Sequence, residues 1–199
     1  MLKKICPICD TDAHSRKVYE KNLPSEIEKI NYSGRKKPDG YHYEMTRCIN
    51  CSLLYASSIY EEEVTNSLYE NSDFPYIQEL GGLKKTYGNC LKHVENLISK
   101  KENFLEIGCG NGFLLEVALD QGWKNVIGIE PSIEAIKNAK SNIKEKIIHS
   151  SFKTNKFEKS KYDLVFFAMV LEHVPDVNEF LSEIFQILNA NGVVIGICH

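Results

Sequence analysis

The sequence has no run of about eighteen apolar residues, the length a membrane-spanning helix requires, so no such span is expected. Lys3 and Lys4 stand near the start, but no apolar stretch follows them, which argues against a secretory leader. A cytoplasmic location is then the default expectation. Strong charge of one sign is also missing: the net charge is −3, and the isoelectric point is about 6.1. Such a chain has no general pull on nucleic acid or on an anionic membrane. Basic residues interleaved with aromatics are absent, as are repeats and low-complexity segments. The only basic cluster, Arg35-Lys36-Lys37, reads as a solvated loop. These absences favour a small-molecule partner and disfavour nucleic acid and membrane.

What is present suits one domain of ordinary size plus a small module: 199 residues, 43% hydrophobic and 26% charged. Seven cysteines in a chain without secretory signals point to metal or free thiols rather than disulfides. Four of them form two C-x-x-C pairs, Cys6-Pro7-Ile8-Cys9 and Cys48-Ile49-Asn50-Cys51. Each pair offers two sulfurs from one tight turn, and four thiolates suit tetrahedral zinc. A rubredoxin-type iron centre uses the same ligands, and a redox dithiol is a further alternative. The 38 residues between the pairs exceed the usual spacing of a compact zinc ribbon, which requires an insertion to loop out. Cys90, Cys109 and Cys198 read as ordinary buried thiols.

The chain changes character along its length. Residues 1–60 are rich in turn formers, with Asn31-Tyr32-Ser33-Gly34 and Lys37-Pro38-Asp39-Gly40 as turn chemistry. Tyr41 to Arg47 reads as a strand entering the second cysteine pair. Residues 61–100 read as helical, with Leu91, Val94, Leu97 and Ile98 forming one buried stripe. From residue 101 strands and helices alternate. The expected strands are Phe104–Ile107, Asn125–Ile129, Lys146–His149, Tyr162–Phe167 and Gly192–Ile197. The helices are Phe113–Leu119, one capped by Ser132 and running to about Asn142, and Asn178–Leu188. That alternation predicts a doubly wound α/β domain with a mainly parallel, Rossmann-like sheet at 101–199, behind a zinc-ribbon-like module at 1–60 and a helical lid or linker at 61–100. Trp123 is expected in the core.

The strongest local signal is Leu105-Glu106-Ile107-Gly108-Cys109-Gly110-Asn111-Gly112-Phe113, between a strand and a helix. Glycines there permit a tight turn and close approach of backbone amides to a ligand. Glu130 ends the next strand, 18 residues after Gly112, where a carboxylate can accept both ribose hydroxyls of an adenosine. The loop reads E-x-G-x-G-x-G rather than the G-x-G-x-x-G of dinucleotide enzymes. A pyrophosphate needs an uncrowded helix N-terminus, whereas the Glu106 carboxylate just inside this loop suits a cationic amino-acid group.

These residues resemble motif I of class I S-adenosylmethionine-dependent methyltransferases. Glu130-Pro131-Ser132 is similar to the family's acidic second motif, and Tyr162-Asp163-Leu164-Val165 to its fourth strand. The segment Met169-Val170-Leu171-Glu172-His173-Val174-Pro175-Asp176 resembles the loop after that strand, and Gly192-Val193-Val194-Ile195 the fifth strand. The resemblance spans about residues 90–199. It implies that Glu106, Gly108, Cys109 and Gly110 line S-adenosylmethionine, that Glu130 and Pro131 hold its ribose, and that Ser151 and Phe152 meet its adenine. Ala168 would lie beside the methionine part. The family usually carries an acidic residue near the adenine, where this chain has Ser150-Ser151.

Methyl transfer to a hydroxyl or carbon acid also needs a base. His173, in the loop above the cofactor, is the candidate catalytic base, Glu172 its candidate orienting group, and Tyr69 and Tyr76 candidate lid residues. Zinc modules ahead of such domains resemble those of bacterial sugar-tailoring methyltransferases, which implies a nucleotide-linked sugar or another polysaccharide precursor as acceptor. They also resemble the module of a ribosomal-RNA guanine methyltransferase, so RNA modification is the alternative, and a cofactor-binding protein without turnover is a third. The family's sheet has seven strands; this sequence stops just after the fifth. Its Val193–Ile197 edge is therefore expected to self-associate or to be covered by further sequence.

Overall fold

The computed structural model describes residues 1–13, 15–24, 40–70, 80–153 and 157–198. The Arg35–Lys37 run, Tyr76, and the two turn segments apart from Gly40 lie outside the described residues.

The first part of the chain is antiparallel. β1 (Leu2–Lys3) pairs with β5 (Ser58–Ile59), while β2 (Ser15–Tyr19), β3 (Met45–Cys48) and β4 (Leu54–Ala56) form a three-stranded sheet in the order β2-β3-β4. The expected strand at Tyr41–Arg47 is thus displaced toward the cysteines: it begins at Met45, and His42 contributes only an isolated bridge to Asn22. The apolar centre of this part is very small. Among the described residues it consists of Cys6, Cys48 and Tyr55, with Cys9 and Leu53 packed against them, and all five residues of β2 are exposed.

Two helices follow, α1 (Glu62–Glu70) and α2 (Leu80–His93), and then a 3-10 turn at Glu95–Leu97. Tightening after His93 breaks the expected stripe. Leu91 is buried and Val94 and Ile98 pack on the core, but Leu97 is 66% exposed, because a change from α to 3-10 winding rotates later side chains off the buried face.

The remaining elements are β6 (Asn103–Ile107), α3 (Phe113–Asp120), β7 (Asn125–Glu130), α4 (Ile133–Lys137), α5 (Ser141–Lys144), β8 (Ile147–His149), β9 (Tyr162–Ala168), α6 (Val177–Ile187) and β10 (Leu188–Ile197). The single helix expected after Ser132 is two short ones. Ser132 does cap α4, accepting from the amide of Ala135, but the chain turns extended at Lys140 before α5 begins.

Five strands form one parallel sheet in the order β10-β9-β6-β7-β8. The chain lays down β6, β7 and β8 in one direction, then crosses back to place β9 and β10 on the other side of β6. This reversal between β6 and β9 is a topological switch point, where the loops leaving the two strands diverge and open a crevice.

Both faces of the sheet are covered, so its central strands are apolar on successive residues rather than alternate ones. Phe104, Leu164 and Phe166 face α2 and α3, together with Trp123, whose ring centroid lies 5.5 Å from that of Phe104. Leu105, Val165 and Phe167 face the other way, toward Phe180 and Ile184 of α6. Among the described residues no helix is long and apolar enough to cross a membrane.

Candidate functional site

The loop between β6 and α3 sits at the switch point and is built from left-handed backbone: φ is 72° at Gly108, 56° at Gly110 and 72° at Gly112. Gly108 has a second constraint. A Cβ there would lie 2.6 Å from Cγ2 of Val170, in the loop that leaves β9. Gly108→Ala should therefore add left-handed strain of about 1–2 kcal/mol to the cost of the clash. It should lower the urea midpoint and weaken whatever the loop binds; an unchanged midpoint would show that the loop relaxes freely.

The loop is tied to β7. The amides of Gly108 and Cys109 both donate to the Ile129 carbonyl, at 2.8 and 3.0 Å. Glu130, the next residue, turns its carboxylate back over the loop. One oxygen accepts from the Gly110 amide at 2.8 Å and the other from the Ser132 amide at 2.8 Å. Each oxygen keeps lone-pair capacity for a further donor. Burial pushes the Glu130 carboxyl up, against the lowering effect of those two amides and of His149.

Glu106 is 3% exposed, and its Oε2 has no partner among the described residues. Burial, and then the nearby Glu130 charge, push its carboxyl well above the ordinary range. A buried carboxylate without a partner is costly, and a cation or a donor placed beside it removes that cost. The same raising by burial acts on the Cys109 thiol.

Ser150 donates its amide to the Glu130 carbonyl, so Ser151 and Phe152 lie immediately beside the Glu130 turn. Phe152 is occupied in packing, with its ring 5.6 Å from Phe180 and 5.8 Å from Phe157. Ala168 ends β9 at the crevice, and Pro131 follows Glu130 there. His173 ends a 3-10 turn, is exposed, and lies edge-on to Tyr69 of α1, with ring centroids 5.2 Å apart. Glu172 is exposed in the same turn.

Two features at this edge have no motif in the sequence. Met169 has φ of 57°, a strained conformation for a non-glycine residue, directly after β9. Asn111 is 8% exposed, with an Oδ1 that has no partner among the described residues. A β-strand pattern carries no signal for the first, and the Asn could have been singled out only by its place between two glycines.

The opposite end of the sheet holds a cleft of about 430 Å³ near Lys100, Asn103, Lys161 and Asp163. Asp163 is fully engaged as a structural tie there. It accepts from the amides of Glu102 and Asn103, at 3.2 and 2.8 Å, and from the Asn189 side chain.

The four paired cysteines form a second constellation. Their sulfurs lie within 4.8 Å of one another; Cys6 and Cys51 are 3.5 Å apart, and Cys9 and Cys48 are 3.8 Å apart. A disulfide would require about 2 Å, whereas a tetrahedron of thiolates about 2.3 Å from a zinc ion has edges of about 3.8 Å. The two knuckles are alike. In each, the fourth residue after the first cysteine donates its amide back to that cysteine's carbonyl, Asp10 to Cys6 at 2.8 Å and Ser52 to Cys48 at 2.9 Å, with positive φ at both. Backbone amides, that of Cys51 foremost, lower the Cys48 thiol to about 7, while hydrogen bonding to Cys51, ahead of burial, raises Cys9 to about 12. Of the remaining thiols only Cys109 is buried; Cys90 is half-buried and Cys198 exposed, because β10 leaves its last residues at the sheet margin.

Comparison with known proteins agrees with this geometry. Residues 105–196 match the methyltransferase domain family model. Over 99 residues the chain is 32% identical to a ubiquinone biosynthesis O-methyltransferase of Pelagibacter ubique, covering 48% of this chain and 41% of that one. Over 149 residues it is 28% identical to the enzyme of the same name from Pasteurella multocida, covering 67% of this chain and 60% of that one. The chain thus spans about half the length of the curated relatives it matches. The solved geranyl diphosphate C-methyltransferase of Streptomyces coelicolor shares 17% identity over 60% of this chain and 47% of its own, with a TM-score of 0.49. With its glycine loop, its acidic strand end and its β10-β9-β6-β7-β8 order, the matched stretch of this chain has the Rossmann-like fold of a methyltransferase domain.

Proposed function

We propose that the protein transfers a methyl group from S-adenosylmethionine to a small polar acceptor. The observation that carries this reading is the buried, unpartnered carboxylate oxygen of Glu106 beneath a glycine loop whose neighbouring carboxylate, Glu130, is already aimed by two amides. A ligand that pairs an ammonium group with a vicinal diol answers both, and the amino acid and ribose of S-adenosylmethionine supply them. In this reading Gly108, Cys109 and Gly110 line the cofactor, Glu130 and Pro131 hold the ribose, Ser151 and Phe152 border the adenine, and Ala168 flanks the methionine part.

Bound S-adenosylmethionine supplies an electrophilic methyl on a sulfonium. The chain's part is to hold the acceptor in line and take its proton. His173 is the base: it accepts the acceptor's proton as the new bond to the methyl carbon forms and the carbon–sulfur bond breaks. Glu172 borders it, and Tyr69 covers it from α1. Residues 61–100 act as the lid and linker between the cysteine module at 1–60 and the domain at 101–199.

Two acceptor classes are in play. The zinc-type module supports a nucleotide-linked sugar, and the likeness to ubiquinone biosynthesis O-methyltransferases supports O-methylation in quinone synthesis. Incubation with radiolabelled S-adenosylmethionine and each acceptor class in turn separates them. The four cysteines would hold zinc as a structural ion.

The titration of Glu106 tests the cofactor assignment without turnover. Because its carboxyl is raised in the ligand-free fold, this group costs stability increasingly as pH climbs above the 4.5 of an ordinary carboxyl toward the folded value. A bound ammonium favours the ionised form, so binding should expel a proton. S-adenosylhomocysteine affinity should rise with pH across that window, with proton release visible by calorimetry in buffers of different ionisation enthalpy. Glu106→Gln should flatten the profile. A flat profile in the unaltered protein would remove Glu106 from the site.

A further inference from the structure

Ser150 and Ser151 follow β8, beside the Glu130 turn. The structure brings another side chain to the same spot. Ser151 Oγ donates to Oδ1 of Asn66 at 3.1 Å, a contact across 85 positions of sequence. Asn66 stands on α1, three residues before Tyr69, so the two lie on one face of that helix. Tyr69 meets His173 on the acceptor side, while Asn66 meets Ser151 beside the Glu130 turn. Helix α1 therefore lies across the crevice, with one side chain at each end of it. Asn66 and Ser151 are both half-buried.

We infer that Asn66 reads the adenine edge of the cofactor. This rests on the reading of the crevice as an S-adenosylmethionine site. A carboxylate can only accept, and so meets only the exocyclic amine of adenine. A carboxamide both accepts and donates, so it can face the amine and the adjacent ring nitrogen together, as asparagine does toward adenine elsewhere. The Ser151 hydroxyl fixes the amide plane and leaves Oδ1 a lone pair and Nδ2 both of its protons. Because Asn66 is on the lid helix rather than the sheet, adenine binding also draws α1 down and holds Tyr69 over His173.

The test pairs a change in the protein with a change in the ligand. S-adenosylhomocysteine and its analogue lacking the 6-amino group are titrated by calorimetry into the full chain and into Asn66→Ala. A neutral hydrogen bond contributes roughly a two- to tenfold difference in affinity. The unaltered protein should favour the aminated ligand by about fivefold, and Asn66→Ala should bind both alike. Ser151→Ala should narrow the preference without abolishing it. Alanine favours helix at position 66, so α1 should persist, as protection of residues 62–70 from hydrogen exchange would verify. If Asn66→Ala keeps the full preference, the inference is overturned although the cofactor reading stands. If the unaltered chain binds neither ligand, the cofactor reading itself falls and the inference with it.

Discussion

Glu130→Ala is expected to weaken S-adenosylhomocysteine binding by about tenfold or more. The carboxylate accepts the Gly110 and Ser132 amides at 2.8 Å each, so its orientation is set before any ligand arrives and no ordering cost falls on binding. Charge-assisted hydrogen bonds to a vicinal diol then contribute roughly 1.5–3 kcal/mol. Alanine removes them and also orphans two amides, so stability should fall along with affinity. Glu130→Gln separates the effects: one oxygen can still take an amide, while the charge is gone. Calorimetry should show weakened binding for both variants, with the larger thermal destabilisation in the alanine. Unchanged affinity in both would remove Glu130 from the ribose site, and tight NAD binding with no response to S-adenosylhomocysteine would defeat the cofactor assignment as a whole.

The sequence was most legible where one local rule acts alone. The five strands of the parallel sheet and helix α3 follow from apolar runs between turn formers, and they stand within a few residues of the expected bounds. Glu106, the glycines and Glu130 were legible because strand, turn and helix impose them at fixed spacing. Reading failed where tertiary contacts compete with local preference. The stretch after Ser132 has helical composition but yields α4 and α5, since Ile143 must reach the core above Gly112. Leu97 looked like a stripe residue because periodicity cannot show where winding tightens. Asn66 was invisible because nothing in a helical segment announces which polar residue will meet a serine 85 positions away.

Removing metal from the proposed four-cysteine site should unfold β2, β3 and β4 while leaving the crevice at the glycine loop in place. Little else among the described residues holds that part together. Among the described residues its buried apolar ones are Cys6, Cys48 and Tyr55, and two of those three are ligands in the proposed site. Such a core cannot offset the backbone entropy of three strands. Binding of a structural zinc ion, about 10–16 kcal/mol at neutral pH in small modules, would then supply the folding energy directly. The α/β core draws none of its buried residues from the described residues of this part. Its links to the module include the Asn178 amide donating to the Pro7 carbonyl at 2.7 Å and a long ion pair from Lys4 to Asp176 at 3.9 Å. Exposed contacts of this kind transmit little. The Cys6→Ser, Cys48→Ser double variant should therefore lose about one metal ion per chain by elemental analysis and exchange amide protons freely over β2, β3 and β4, yet bind S-adenosylhomocysteine within a few-fold of the unaltered protein. Iron in place of zinc would appear in the same assay and change only the metal named. Metal retained after both substitutions would refute the ligand set, and loss of ligand binding in step with the metal would show that the crevice depends on the knuckle resting against the first turn of α6.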